Sequence, residues 1–280
     1  MAEFFKLFSY LFIWRALIVG FFTSLCAGLL GVNLVLKRYS MIGDGLSHVG
    51  FGILSIAVAI GIPPLQTAIP IILLVAFLLL RIRENSKTKG DAAIALISVS
   101  ALAIGIVSFS LTSGLNSNMS AYMFGSIYTL TNSDLVITVI VACVIIILYI
   151  LFYVKNFAIA FDQSFAQAAG TKVNVFNLAT ALMTALIIVV GMRMMGAMLI
   201  SGLIIFPPLS AIRIFKSYKS VVIASGIISV ICFFIGTFAS FILSTPTGAS
   251  VIITNLIAFS TLSLVSLLKT SLLRKARRGV

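Results

Sequence analysis

The sequence predicts an all-α fold, a polytopic bundle of about eight or nine transmembrane helices. Three observations carry this. Only 9% of the 280 residues are charged, against about 25% in a soluble domain. Apolar residues make up 61% of the chain, and they come in runs long enough to cross a hydrocarbon core about 30 Å thick. Short basic clusters separate the runs, as they do in the cytoplasmic loops of membrane proteins.

Taken in order, the runs predict spans at about 12–36, 41–60, 64–81, 91–111, 135–154, 174–192, 196–212, 220–243 and 249–268. Of the 19 basic residues, 16 fall in five clusters between or after these spans: Lys37 and Arg38; Arg81, Arg83, Lys87 and Lys89; Lys155 and Lys172; Arg213, Lys216 and Lys219; Lys269, Arg274, Lys275, Arg277 and Arg278. Every cluster lands on one face. The opposite gaps, near 61–64, 112–134, 192–195 and 244–248, hold almost no Lys or Arg. The positive-inside rule therefore predicts a multi-pass protein of the cell membrane with a cytoplasmic C-terminus. Nine spans put the N-terminus outside, and eight or ten spans are the alternative counts. Phe4, Phe5, Leu7, Phe8, Tyr10 and Trp14 read as an interfacial helix with an aromatic anchor. No small-residue cleavage site follows the first apolar stretch, so it is expected to be retained. Residues 1–280 are expected to form a single transmembrane domain.

The net charge of +13 is topology, not a nucleic-acid footprint, because no continuous polar face exists to display it. Cys26, Cys143 and Cys232 sit singly in three apolar runs without metal or redox spacing, and read as packing residues. Pro207 and Pro208, inside a span, are expected to bend or interrupt it. The methionines around 192–198 lack His or Cys at ligand spacing and read as packing residues. Gly191, Gly196, Ala197, Ser201 and Gly202 form a small-residue surface suited to close helix approach.

Ionisable groups inside a span are functional candidates by default. The chain has one histidine, His48, and Asp44 lies four residues before it among Gly43, Gly45, Gly50 and Gly52. That separation places both side chains on one helical face, about one and two turns in from a helix start near Ser40. A carboxylate and an imidazole so placed can share one divalent metal, and the pair does not choose among zinc, manganese and their neighbours. Two other roles fit the same residues: Asp44 as the cap of a helix starting at Gly45, and His48 as a hydrogen-bonding partner of a neighbouring helix. Two ligands are few for zinc, which takes four. A two-fold homodimer with the site on its axis supplies two Asp44 and two His48.

The run Gly43-Asp44-Gly45-Leu46-Ser47-His48 resembles the Asp-x-x-(Ser/Ala)-His signature in the permease subunits of zinc and manganese ATP-binding-cassette importers. The resemblance extends along most of the chain. Arg15-Ala16-Leu17 opens a Gly-rich first span, Tyr122-Met123-Phe124-Gly125-Ser126 looks like the family's Tyr-x-Phe-Gly element, and Val190-Gly191-Met192-Arg193-Met194-Met195-Gly196-Ala197-Met198-Leu199, on to Leu203 and Pro207, resembles a late family pattern. The resemblance implies a dimeric permease that receives its metal from an extracytoplasmic metal-binding protein and is driven by a separate ATPase dimer. It also implies that Asp44 and His48 line the cation pathway. Zinc is the first expectation for the cargo, manganese the second, with iron also represented in the family.

No Gly-x-x-x-x-Gly-Lys-(Ser/Thr) occurs, so the chain has no phosphate loop of its own. The expectation is a non-enzymatic subunit without a cofactor, with ATP used by a partner. Residues 161–170 resemble the coupling helix of such permeases. Phe161 and Phe165, four apart, would enter a cleft on the ATPase, and Gln167-Ala168-Ala169-Gly170 stands as a reduced Glu-Ala-Ala…Gly motif. An amphipathic helix resting on the bilayer is the plainer alternative. The stretch 112–134, with Asn116 and Asn118, is expected to face the binding protein. A gradient-driven secondary carrier, with Asp44 and His48 as a proton relay, is the competing class, and inverted repeats that would mark it are not visible.

Overall fold

The computed structural model describes residues 11–85, 90–113, 123–125 and 131–278. The expected interfacial helix at Phe4–Tyr10, and Asn116 and Asn118 of the expected docking stretch, lie outside them. Apart from short turns and connectors, the described chain is helical: α1 Leu11–Leu36, α2 Ser40–Ile60, α3 Pro64–Asn85, α4 Gly90–Ser113, α5 Asn132–Leu151, α6 Tyr153–Phe161, α7 Gln163–Ala168, α8 Val173–Met195, α9 Ala197–Ile214, α10 Tyr218–Leu243 and α11 Thr247–Arg278. Among the described residues nine helices, all but α6 and α7, are long and apolar enough to cross a bilayer. Strict alternation of nine spans brings Lys37, Arg38, Arg81, Arg83, Lys155, Lys172, Arg213, Lys216 and Lys219 to one end of the bundle.

Three boundaries differ from the hydropathy reading, each for a local reason. α5 starts at Asn132 because Thr131 and Asp134 form a capping box: Thr131 N donates to Asp134 Oδ2 at 3.0 Å, and Asp134 N donates to Thr131 Oγ1 at 3.2 Å. Phe152, at φ −90° and ψ 1°, divides the expected fifth span's end into α5 and the short α6. α11 continues past the apolar run to Arg278, since Lys and Arg are good helix formers outside the membrane.

Pro207 and Pro208 leave α9 continuous. Pro208 has no N–H for the carbonyl of Ile204, four residues earlier. That carbonyl instead approaches α1 at Gly31, where a Cβ would overlap it, and a Cα–H contact fits there. α10 is held on α1 by side-chain donors: Ser225 Oγ to Gly28 O and Ser229 Oγ to Ser24 O, both 2.7 Å.

Burial grades the helices. α1, α2 and α8 are each 67% buried over their spans, whereas α11 is 11% buried. Leu96, Leu111, Ile140, Ile150 and Leu267 face outward and suit lipid. α2 packs most closely on α4, through glycines. A Cβ on Gly105 would lie 2.7 Å from Gly52 Cα, and one on Gly45 would lie 2.8 Å from Ser98 Oγ. Backbones meet there as in other small-residue membrane interfaces. Gly105→Leu therefore separates α4 from α2. Overpacking of this kind costs about 1–3 kcal/mol or more, and thermal unfolding of the detergent-solubilised protein should show a lowered midpoint.

Candidate functional site

α2 begins at Ser40, after Arg38 in the left-handed region (φ 59°) turns the chain back from α1. Its N-cap is Tyr39, without a side-chain cap bond. Asp44 is thus inside the helix and does not cap it. His48 Nε2 lies 3.7 Å from Asp44 Oδ2, beyond hydrogen-bond range. One cation bound at about 2.0–2.2 Å from each donor can bridge that spacing. The two side chains are 29% and 37% exposed for His48 and Asp44, on a helix otherwise largely buried.

The rest of α2 around the pair is packed against its neighbours. Ser47 turns inward and donates to Asp44 O at 2.8 Å and Gly43 O at 3.2 Å. A Cβ on Gly50 would meet Met192 Cε at 2.7 Å, and one on Gly43 would meet Ile204 Cγ2 at 3.3 Å, so α8 and α9 close the far side. His48 Nδ1 is buried without a partner. Among the described residues no third His, Cys, Asp or Glu joins the pair.

The small residues after α8 serve a sharp break. Gly196 has φ 80° and ψ 157°, a region that L side chains rarely adopt. A Cβ there would overlap Met123 O and come within 2.5 Å of Gly125 N, so the Met123–Gly125 peptide lies directly against the break. Ala197 is buried. A Cβ on Gly191 would lie 2.5 Å from Ile200 Cδ1, and one on Gly202 3.3 Å from Ile252 Cγ1.

At the basic end of the bundle, α6 and α7 form a hooked surface. Asp162 breaks the helix at φ −150° and caps α7, its Oδ1 accepting from Phe165 N at 3.0 Å. Ala166 is buried with Ile159 and Val173, which fixes α7 to the bundle. Phe161 and Phe165 are 83% and 69% exposed. Gln167, Ala168, Ala169 and Gly170 are also exposed, and Gly170 (φ 81°) ends the element.

Between α7 and the start of α2 lies a polar cleft of about 610 Å³, lined among others by Lys37, Arg81, Glu84, Gln163, Gln167 and Asn174. Lys37 Nζ donates to Asn177 Oδ1 at 2.9 Å, and Asn177 Nδ2 donates to Glu84 Oε1 at 3.1 Å. This chain of bonds ties the end of α1 to α8 and α3. In the sequence Lys37 reads as a topology signal only, and Asn177 and Glu84 carry no evident role. The available signal was a lone Glu84 beside Arg81 and Arg83, with an Asn in the first turns of a span.

A family model described as the ABC 3 transport family matches residues 9–267. The chain belongs to the ABC 3 transport family. It is a multi-pass membrane permease subunit of that family. Its fold is similar to a solved structure described as PsaBC from Streptococcus pneumoniae in complex with Fab, with a TM-score of 0.82, 28% identity, and coverage of 95% of this chain and 94% of that one. The manganese import system permease protein ScaB of Streptococcus gordonii is 27% identical over 248 residues, 89% of each chain. The high-affinity zinc uptake system membrane protein ZnuB of Buchnera aphidicola is 29% identical over 238 residues, 84% of this chain and 90% of that one.

Burial pushes Lys37 down from its ordinary 10.5 to about 8, with Glu84 opposing. The folded protein therefore releases this proton before the unfolded chain does. Below pH 8 both states hold the proton and the burial cost is full. As pH rises from 8 towards 10.5 the cost is relieved and stability increases. Melting of the purified protein between pH 7 and pH 10 should show this rise, and Lys37→Met should flatten it.

Proposed function

We propose that this permease carries a divalent transition metal into the cytoplasm, with Asp44 and His48 as its transient ligands. The observation that carries the reading is the 3.7 Å approach of the only histidine to a carboxylate inside a largely buried helix. An ionisable pair held inside a membrane span marks a substrate path. Two copies of the chain, each giving one carboxylate and one imidazole, would complete a four-donor set suited to zinc, which also outranks manganese at nitrogen and oxygen sites. Manganese is the second reading, favoured by the name of the ScaB relative.

The chain supplies no phosphate loop, so ATP would be hydrolysed by a partner dimer seated on residues 161–170. Support comes from the paired exposure of Phe161 and Phe165 on a short helix anchored from behind by Ala166. This arrangement and membership of the family favour the ATP-driven class over a gradient-driven carrier. The basic end of the bundle, with the C-terminus, would face the cytoplasm. The opposite end would take metal from an extracytoplasmic binding protein.

The test is the metal content of transporter-deficient cells expressing the complete import system. Wild type should raise zinc or manganese, and the permease carrying Asp44→Ala and His48→Ala, at equal membrane abundance, should leave it at background. Wild-type uptake by that variant would make both residues structural. For the coupling surface, Phe161→Ala with Phe165→Ala removes two exposed aromatic anchors of a kind worth about 2 kcal/mol or more each at an interface. Co-purification of the ATPase and metal-stimulated ATP hydrolysis should both fall at least tenfold, while the isolated permease melts as wild type.

A further inference from the structure

We propose that Tyr218 is a positioning residue that carries displacement of the hook of α6 and α7 to α1, and through α1 to the start of the helix bearing Asp44 and His48. The proposal rests on the reading of residues 161–170 as the seat of an ATPase. Tyr218 is the first residue of α10, directly after the cap residue Ser217, whose side chain accepts from Ser220 N. Its ring lies against two rings of α6, with centroids 5.4 Å from Tyr153 and 5.2 Å from Phe157, spacings at which aromatic pairs attract.

The same side of α6 continues to the exposed surface. Phe157 meets Phe161, one turn on, at 5.6 Å between centroids, and Phe161 is one of the two exposed aromatics of the hook. α7 packs on α6 through Ala166 and Ile159, so a load on Phe165 also falls on α6. Pressure on either phenylalanine therefore reaches Tyr218 through packed side chains of one short helix. A pocket of about 280 Å³, lined in part by Leu36, Phe161, Phe215 and Tyr218, lies beside these rings and gives α6 room to shift.

The hydroxyl of Tyr218 is fixed to α1. It donates to Asn33 Oδ1 at 2.6 Å. Asn33 is fully buried and its Nδ2 has no partner, so the bond from Tyr218 orients this amide. Beyond Asn33 the chain turns tightly into α2. Lys37 N donates to Asn33 O at 3.1 Å and Tyr39 N to Leu34 O at 2.7 Å, which folds the three-residue link back on the last turn of α1. A shift at the end of α1 is thus passed to the start of α2, and Asp44 lies in the second turn of that helix. Tyr218 joins α6 to this unit by its ring face and its hydroxyl together, and a phenylalanine there supplies only the first.

The experiment reconstitutes the complete import complex in proteoliposomes and measures, for zinc and for manganese, the metal carried per ATP hydrolysed. Tyr218→Phe keeps the ring contacts and removes the donor, and Asn33→Leu removes the acceptor. Each should lower the metal carried per ATP on the order of threefold to tenfold, as expected for the loss of one polar contact, while the ATPase still co-purifies and hydrolyses ATP near the wild-type rate. The double variant leaves neither partner of the bond unpaired and should melt as wild type. It should stay as uncoupled as either single variant, because both break one link. A wild-type ratio in the single variants overturns the proposal. So does recovery of the ratio in the double variant along with its stability, since that reports only the cost of an unpaired group. The Phe161→Ala/Phe165→Ala complex separates the two readings: if it loses the ATPase while the Tyr218 and Asn33 variants keep the wild-type ratio, only the role of Tyr218 fails. If it holds and drives the ATPase as wild type, the reading of residues 161–170 itself fails.

Discussion

A carboxylate and an imidazole inside a membrane span need shielding from lipid, and α1, α3, α4, α8 and α9 pack around the helix that carries them. α2 carries Asp44 and His48, so α2 is central. It is 67% buried, while α11, which carries no ionisable group within its apolar run, is 11% buried and free to face lipid. Shielding at this depth demands close neighbours on a helix whose own side chains are small. Gly45 and Gly52 bring α4 nearly to backbone contact, and Gly43 and Gly50 admit Ile204 of α9 and Met192 of α8. Dispersion is the attraction available between apolar helices in lipid, which makes such approach the means of holding them.

The second constraint is that backbone groups in a bilayer need partners. It explains where the chain bends. At Pro208 the freed Ile204 carbonyl approaches Gly31, where α1 lies tight against α9, and α9 stays continuous. At Gly196 the positive φ lets α8 stop and α9 start within one residue, and the Met123–Gly125 peptide covers the break. At the basic end, where water is near, the breaks at Phe152 and Asp162 need only local caps, and they turn α7 out of the bundle with two phenylalanines exposed. The rule that keeps spans whole thus permits a protruding surface at the ends alone.

Much of this was legible in the sequence because the strongest terms are compositional. Hydropathy locates all nine described spans, and the four-residue spacing of Asp44 and His48 by itself puts them on one face. Charge alternation sorted the loops. What hydropathy missed were features set by hydrogen bonds: Asp134 reads as loop polarity by composition, yet it sits in the first turn of α5 as half of a capping box. Lys37 reads as an inside charge, yet it is bonded to Asn177, which bonds Glu84. A hydroxyl's missing partner, as at Ser55, is invisible in sequence because every helical serine has the same local carbonyl within reach.

The polar cleft ties these levels together. Its walls include Gln163 and Gln167 of α7 and Lys37, three residues before α2 starts. Lys37 and Glu84 are opposite charges joined through one amide, in a place where burial already strains the ammonium towards neutrality. Opposite charges so placed hold the ends of α1, α3 and α8 together with an energy that depends on how wet the cleft is, because screening by water weakens the pair steeply. A partner pressing on Phe161 and Phe165 acts on the one element shared by that surface and the cleft. Displacing α7 would open the cleft to water and loosen the join beside the first turn of α2, one turn from Asp44. A push at the membrane surface reaches Asp44 and His48 through about two to three helical turns, a distance over which packed helices move as rigid bodies.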